Sequence, residues 1–155
     1  MISSRVKEPS GIALPRCPNC DWRQEFLTDV FGPRRAEASA VVKNLIDIAP
    51  PVKPAPQDWV VTTTLQSTTL LNEAGIDTIL FAGFDTNGCL RTSAGGVLPM
   101  AGLGYRPIVL RDCTTNGEDA QGAETLAITR AALRSIEMFR GYSASGDEVR
   151  EALSR

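Results

Sequence analysis

The fold is decided by one stretch, residues 77–89, which read DTILFAGFDTNGC. Its first half contains a continuous apolar run at 79–82, flanked by Thr78 and Gly83. Such a run is typical of a strand in a parallel sheet that is buried on both faces. A turn of small and polar residues follows, and we expect Cys89 to begin a helix. The stretch therefore predicts a strand that passes through a sharp corner into a helix.

The segments around this stretch continue the alternation of strand and helix. β-Branched and aromatic residues indicate further strands, and apolar residues at helical spacing indicate further helices. In chain order we predict a strand at 59–65, a helix at 66–74, the strand at 77–83, an irregular helix at 87–102, a strand at 105–110, a helix at 120–139 and a short helix at 149–153. This order predicts an α/β fold with three α-β-α layers and a mainly parallel sheet.

The first part of the chain is organised differently. Residues 1–32 begin with a polar stretch that prolines and a glycine interrupt, which predicts an irregular N-terminal segment. Residues 33–48 carry an apolar stripe typical of a helix, and the proline-rich residues 50–56 end that helix. We therefore predict two regions, an irregular segment at 1–32 and an α/β domain at 33–155.

Composition and net charge exclude some classes of binding partner. Of the 155 residues 43% are hydrophobic, and 16 basic against 18 acidic side chains leave a net charge of −2. Nucleic acid or a membrane surface would require a basic face, so we expect neither partner and instead a small-molecule substrate. No run approaches the roughly 20 apolar residues of a membrane span, and the N-terminus lacks the apolar region of a signal peptide. With four cysteines and no secretory signal, we predict a cytoplasmic location.

The chain contains no histidine. This excludes a Ser-His-Asp triad, a Cys-His dyad and every histidine metal site within it. If the protein is an enzyme, its proton transfers must use carboxylates, lysine, cysteine or tyrosine.

Cys89 is the candidate for chemistry because of its expected place at the corner. Sites in parallel α/β sheets form at the carboxyl ends of the strands. Backbone N–H groups at a helix start favour a thiolate, and the same groups could bind an oxyanion. The alternative is that Cys89 is a small buried residue at a helix start, since buried cysteine is common.

The corner and the segment after it resemble a known family. The runs GFDTNGCL at 83–90 and TSAGGVLPMAGLGYRPIVLRDCTT at 92–115 are similar to the isochorismatase-like cysteine hydrolases, which include nicotinamidases, N-carbamoylsarcosine amidases and ureidoacrylate hydrolases. The resemblance covers roughly residues 45–153. The positions that carry it are Gly83, Thr86, Cys89, Gly104, Tyr105 and Asp112.

The resemblance implies an isochorismatase-like, Rossmann-like fold and a mechanism without cofactor or metal. Cys89 would attack the carbonyl carbon of a small amide-like metabolite and form a thioester-type intermediate that water hydrolyses. The oxyanion would be held by the backbone N–H groups of Asp85 and Cys89, beside a cis peptide bond between Phe84 and Asp85. Candidate residues of the substrate pocket are Thr62, Thr63, Phe84 and Asn87.

Two activating residues of the family are not found. The family's aspartate ends a buried first strand, and no such strand precedes residue 33; the DWRQ run at 21–24 follows prolines that a central strand does not tolerate. The family's lysine ends the strand predicted at 59–65, where this chain has Thr62 and Thr63. We therefore expect an N-terminally truncated form of the fold.

The missing residues leave the function open at this stage. One reading is an active cysteine hydrolase. The alternative is a catalytically impaired relative that acts through association, as a homo-oligomer that completes the sheet or with another partner. A third reading, weaker than both, is a zinc or redox module at the CPNC run of residues 17–20.

Overall fold

The computed structural model describes residues 28, 29, 32 and 50–155. Residues 60–155 form one compact unit, and the other described residues belong to a second one. In that second unit a short 3₁₀ helix spans Pro50–Val52. Several features of the sequence analysis lie outside the described residues. They are the predicted helix at 33–48, the CPNC run, the DWRQ run and the domain boundary at residue 33.

The unit at 60–155 alternates strands and helices. Its elements are α1 (Thr64–Glu73), β1 (Thr78–Phe84), α2 (Cys89–Thr92), α3 (Val97–Gly102), β2 (Arg106–Thr115), α4 (Ala127–Phe139), β3 (Tyr142–Ala144) and α5 (Gly146–Leu153). The three strands are all parallel and lie side by side in the order β1-β2-β3. The predicted α/β class with a parallel sheet is confirmed. Strand β3 follows a predicted helix directly and was not expected.

The pairing of β1 with β2 is irregular near its carboxyl end. Phe81 pairs with Val109, but Gly83 pairs with Thr114, so β2 carries three additional residues between these pairs. The additional stretch includes Asp112 and Cys113, which are exposed. A bulge of this kind bends the strand and redirects side chains beside functional sites.

The expectation that β1 is buried on both faces is wrong for the described residues. Leu80 is 47% exposed and Phe84 is 65% exposed. Within the described sheet β1 is an edge strand, since its only partner there is β2. The apolar run correctly predicts a strand, but the run alone does not determine which layers cover it.

The strand predicted at 59–65 is also wrong. Helix α1 begins at Thr64, and Thr63 is its N-cap. The Thr63 hydroxyl accepts a hydrogen bond from the N–H of Gln66 at 3.2 Å, while the Gln66 side chain accepts one from the N–H of Thr63 at 3.3 Å. This reciprocal capping box satisfies free donors at the helix start and outweighs the β-propensity of the valine and threonine run.

Helix α4 begins later than predicted, at Ala127 instead of residue 120. Leu126, the residue before the helix, has a left-handed backbone (φ 53°) and is exposed. The carboxylate of Glu118 accepts hydrogen bonds from the N–H groups of Ile128 and Thr129 at 2.8 and 2.7 Å. The helix start is therefore capped by a residue ten positions upstream, which local propensity does not reveal.

The irregular helix predicted at 87–102 is two helices, α2 and α3, joined by residues 93–96. Gly95 adopts a positive φ of 74° in this joint. At Gly96 a Cβ atom would lie 2.8 Å from the carbonyl oxygen of Leu90, so the chain approaches itself too closely for a side chain. These glycines allow the sharp change of direction between the helices.

The core lies where the helices pack on the central strand β2. Among the described residues, four apolar side chains are essentially inaccessible to solvent: Val97, Met100, Val109 and Ile136. Leu90 of α2 and Leu133 of α4 join the core cluster, and Phe81 packs against it. The core therefore fixes α2, and with it the corner that precedes Leu90.

No helix among the described residues is long and apolar enough to traverse a lipid bilayer.

Candidate active site

Cys89 is the first residue of α2 and is exposed. It lies five residues after the end of β1, so its sulfur is at the carboxyl end of the sheet. The next residue, Leu90, is only 8% exposed and packs into the core. The buried leucine anchors the helix start, while the thiol beside it stays accessible to solvent.

The corner between β1 and α2 is closed by the carbonyl of Asp85. This oxygen accepts hydrogen bonds from the N–H groups of Gly88 at 3.1 Å and Leu90 at 2.9 Å. The N–H of Thr86 donates to the carbonyl of Thr115 at 3.0 Å, which ties the corner to β2. The peptide bond between Phe84 and Asp85 is cis, at the position that the family resemblance implied.

The two backbone donors assigned by the resemblance to the oxyanion are the N–H groups of Asp85 and Cys89. Neither donates a hydrogen bond to any residue that the structure describes. Their neighbours Thr86, Asn87, Gly88 and Leu90 all do. Within the described part of the chain, these two N–H groups of the corner therefore have no acceptor.

The side chain of Asp85 is folded back onto the corner. Its Oδ1 accepts a hydrogen bond from the N–H of Asn87 at 3.3 Å. A Cβ atom at Gly88 would lie 2.7 Å from the other oxygen, Oδ2. Gly88 is therefore needed for the carboxylate to occupy this position.

A buried pair of hydroxyls fastens the corner to β2. Thr86 is fully buried, and its hydroxyl oxygen lies 2.8 Å from that of Thr114. Thr114 donates its own proton to the carbonyl of Gly83 at 2.7 Å. A hydroxyl has one proton to donate, so Thr86 is the donor between the two threonines.

Asn87 connects the corner to two residues that sequence reasoning missed, Asn116 and Arg91. The N–H of Asn87 donates to Oδ1 of Asn116 at 3.0 Å, and its own Oδ1 accepts from Nη1 of Arg91 at 3.0 Å. Asn116 is held in turn by Thr129, whose hydroxyl accepts the Asn116 N–H at 2.9 Å. Asparagines that follow strands are a weak sequence signal for such bridging, because most of them form local turns.

The predicted pocket residues Thr62 and Thr63 belong to the start of α1. Thr62 and Thr63 both bond the side chain of Gln66 as part of the α1 cap, and no hydrogen bond of the described residues joins either to the corner. Phe84 is exposed at the end of β1. The start of α1 approaches the joint after α2 instead, where the hydroxyl of Thr64 accepts the N–H of Gly95 at 3.2 Å.

The main cavities lie away from Cys89. Two cavities of about 450 and 490 Å³ share Asp77, Gly104 and Tyr105 as lining residues, at the amino ends of the strands. A third, of about 490 Å³, lies along α4 beside Leu133. Cys89 lines none of these three.

The carboxylates near this end of the sheet are held in their charged form. Hydrogen bonding from the N–H of Gly146 lowers the pKa of Asp112. Hydrogen bonding from the N–H of Ser145, with the nearby Arg111 guanidinium, lowers the pKa of Glu148. Burial raises the pKa of Glu118, but the hydroxyl of Thr129 and two helix N–H groups outweigh it and leave that pKa below its usual value. All three carboxylates are engaged in positioning a helix.

Residues 60–155, the unit that contains Cys89, have no lysine; the lysines of the chain are at positions 7, 43 and 53. Within the described part of the chain, no group of three or more cysteine, aspartate or glutamate side chains is arranged to bind a metal ion.

Comparison with known proteins is consistent with this geometry. The model of a protein family described as the isochorismatase domain matches residues 21–139. Among solved structures, an isochorismatase-like hydrolase from Alkaliphilus metalliredigens is similar, with a TM-score of 0.57 and 20% sequence identity. The alignment covers 69% of this chain and 57% of that one, so the chain spans little more than half of the solved protein. No curated protein sequence matches the chain.

Proposed function

The chain belongs to the isochorismatase-domain family, and from this premise we propose that it is a hydrolase of a small amide-like metabolite with Cys89 as nucleophile. The observation that carries the proposal is the accessibility of the Cys89 thiol at a strand-to-helix corner whose Asp85 and Cys89 N–H groups have no acceptor among the described residues. A nucleophile and free backbone donors at one corner are the two parts that acyl transfer requires.

The proposed reaction has two steps. In the first, Sγ of Cys89 attacks the carbonyl carbon of the substrate, and the carbonyl oxygen takes up negative charge that the two N–H groups bind. The C–N bond then breaks, the nitrogen leaves with the thiol proton as an amine or ammonia, and a thioester remains. In the second step, water attacks the thioester, releases a carboxylic acid and restores the thiol.

A second candidate function follows from the same structure. Residues 60–155 contain no lysine, and Thr62 and Thr63 are committed to the α1 cap. A positioned base contributes typically 10²- to 10⁴-fold to catalysis, so a corner without one would be a weak catalyst. We propose as the alternative that the protein acts by association, as a homo-oligomer paired through the apolar edge strand β1. Its exposed Leu80, and an edge that no strand of the described residues pairs with, favour association.

The hydrolase proposal is tested by thiol chemistry first. Cys89 and Cys113 are both free and exposed, so the chain carries its own matched control. Limited iodoacetamide near neutral pH, followed by peptide mass analysis, should label Cys89 faster than Cys113. Equal and slow labelling of both would contradict an activated nucleophile.

Activity is tested with the same residue. Purified protein is incubated with a panel of small amides and ureido acids, and the release of ammonia or amine is measured. Turnover that is present in the wild type and in Cys113→Ala, and lost in Cys89→Ala, supports the hydrolase. A monomer–oligomer equilibrium in sedimentation without turnover would favour the association function instead.

A further inference from the structure

The apolar stripe of α4 continues beyond the core. Thr129, Leu133 and Ile136 of this helix are buried, at positions three or four residues apart. Phe139 stands three residues after Ile136, so it lies on the same side of the helix, and yet it is 69% exposed. Tyr142, the first residue of β3, is 62% exposed. Two large aromatic side chains are therefore left in solvent where α4 ends and β3 begins.

The turn between α4 and β3 lies at the amino end of the sheet, against the first residues of β2. A Cβ atom at Gly141 would lie 2.6 Å from the carbonyl oxygen of Pro107, so the turn is in close contact with β2. The N–H of Arg106 donates to the carbonyl of Asp77 at 2.8 Å, which brings the residue before β1 to the same place. One cavity of about 490 Å³ is consequently lined by the two aromatic rings and by four charged side chains, those of Asp77, Arg106, Glu137 and Arg140.

These four charges do not pair with one another. Within the described part of the chain, neither Arg106 nor Arg140 forms an ion pair or a side-chain hydrogen bond. Each carboxylate accepts a hydrogen bond from a neighbouring hydroxyl through one oxygen, at 2.7 Å in Asp77 and at 2.6 Å in Glu137. Two cations and two anions at one surface can therefore still pair with groups of another molecule.

The chemistry of this surface is that of a protein interface. Exposed apolar patches rimmed by polar residues mark interaction sites, and aromatic and arginine side chains are enriched in them. A uniformly acidic partner would meet the like charges of Asp77 and Glu137, and a uniformly basic one would meet the two arginines. A second copy, rotated by 180°, presents the same residues and can place its cations against the anions of the first.

We propose that two copies of the chain form an isologous dimer through this amino-end surface, which consists of Asp77, Arg106, Glu137, Phe139, Arg140 and Tyr142. The inference goes beyond both candidate functions. The surface lies at the end of the sheet opposite to Cys89, so the dimer does not involve the corner. It also differs from association through the edge of β1, because none of its residues belongs to that strand.

Sedimentation equilibrium of the full chain over a range of protein concentrations measures the dissociation constant of the dimer. Phe139→Asp should raise this constant by about tenfold or more, because it replaces an aromatic anchor of the interface by a charge. Met138→Asp is the matched control: it adds the same charge to the neighbouring residue, which is 64% exposed and does not line the cavity. Leu80→Asp changes the β1 edge, and both of these variants should keep the wild-type constant.

Two charge variants test the complementarity without depending on the folding of Phe139→Asp. Arg106→Glu with Arg140→Glu makes all four charges negative, and Asp77→Lys with Glu137→Lys makes all four positive. All four side chains are exposed, and circular dichroism checks that both proteins are folded. Each protein alone should be monomeric, because like charges then face each other, whereas an equimolar mixture should form a heterodimer.

A chain that is monomeric at every concentration would overturn the inference, and so would a dimer whose dissociation constant is unchanged in Phe139→Asp. An equal loss of association in Met138→Asp would also overturn it, since any added charge at the end of α4 would then have the same effect. Charge variants that fail to associate when mixed would contradict it as well. The relative labelling rates of Cys89 and Cys113 are measured separately, so a failed dimer and a failed hydrolase proposal give different results.

Discussion

The hydroxyl oxygens of Thr86 and Thr114 lie 2.8 Å apart in the interior, although the residues are 28 positions apart in the chain. Thr114 also donates to the carbonyl of Gly83 at 2.7 Å. This pair joins the corner that carries Cys89 to the end of β2. The position of the thiol therefore depends on two buried hydroxyls that have no chemical role of their own.

Thr114→Val tests this connection. The substitution keeps the shape of the side chain but leaves the Thr86 hydroxyl buried without its acceptor, which should cost about 1–3 kcal/mol of unfolding free energy. Urea denaturation measures the change. The neighbouring Thr115→Val is the control: Thr115 is exposed and its hydroxyl makes one long hydrogen bond of 3.4 Å, so the substitution should change stability by less than about 0.5 kcal/mol. Similar effects of both variants would contradict a special role for the buried pair.

Gly88→Ala tests the packing of the corner. The added methyl would meet Oδ2 of Asp85 at 2.7 Å and displace the carboxylate, at a cost of about 1–3 kcal/mol. In the Asp85→Ala background the same substitution should cost much less, because the clashing atoms are gone. Thermal or urea unfolding is measured for the wild type, the two single variants and the double variant. Together the four stabilities give the coupling free energy between positions 85 and 88. Gly102→Ala, where a Cβ meets no atom within 4 Å, serves as the control. Additive effects of the two corner substitutions would rule out the clash.

Leu90→Ala should loosen α2 directly. Leu90 is 8% exposed and belongs to the core cluster, so truncation should destabilise the protein by about 2–5 kcal/mol. Leu103→Ala removes the same atoms from a side chain that is 57% exposed and should cost far less. In the folded Leu90→Ala protein we also expect a smaller difference between Cys89 and Cys113 in iodoacetamide labelling. A loss of stability no larger than that of Leu103→Ala would show that Leu90 does not anchor the helix.

Stability should fall with acidification, and Asp112 should contribute to the fall. Hydrogen bonding to the Gly146 N–H lowers its pKa below the usual 3.8, so the folded state binds this proton more weakly than the unfolded state. The stabilisation is complete above the unfolded pKa and is lost as the pH falls through the lower, folded value. The unfolding midpoint of the wild type should therefore decline below about pH 4.

Asp112→Asn provides the comparison for this pH dependence. The variant should be less stable at pH 7 and should lose less stability between pH 5 and pH 3 than the wild type, as followed by thermal unfolding. Glu124→Gln, which removes an exposed carboxylate, is the control and should retain the wild-type slope. If the stability of Asp112→Asn fell with pH as steeply as that of the wild type, this carboxylate would not contribute to the acid sensitivity.

Local pattern predicted the elements that short-range physics determines. The apolar run at 79–82 predicted β1, and the helix predicted at 66–74 ends within one residue of the end of α1 at Glu73. The polar turn after β1 predicted that Cys89 would begin a helix, where the structure places it. The residues of the capping box, Thr63 and Gln66, are also present in the sequence, but the β-branched residues around Thr62 favoured the prediction of a strand. In that segment two local preferences competed, and the side-chain cap prevailed.

The remaining features depend on residues far apart in the chain. Glu118 caps α4 across ten residues, Asn87 meets Asn116 across 29, and Thr86 meets Thr114 across 28. No periodicity or propensity encodes such pairs, because they arise only when the sheet brings two loops to the same edge.

The sequence by itself determined that this is a parallel α/β protein with a cysteine at a strand-to-helix corner, because hydrophobic period, turn residues and helix starts act over a few neighbouring positions. The tertiary structure alone decided that this thiol is exposed and that the Asp85 and Cys89 N–H groups make no hydrogen bond among the described residues. Burial and hydrogen-bond satisfaction are properties of the packed chain, so they are determined only when distant segments meet.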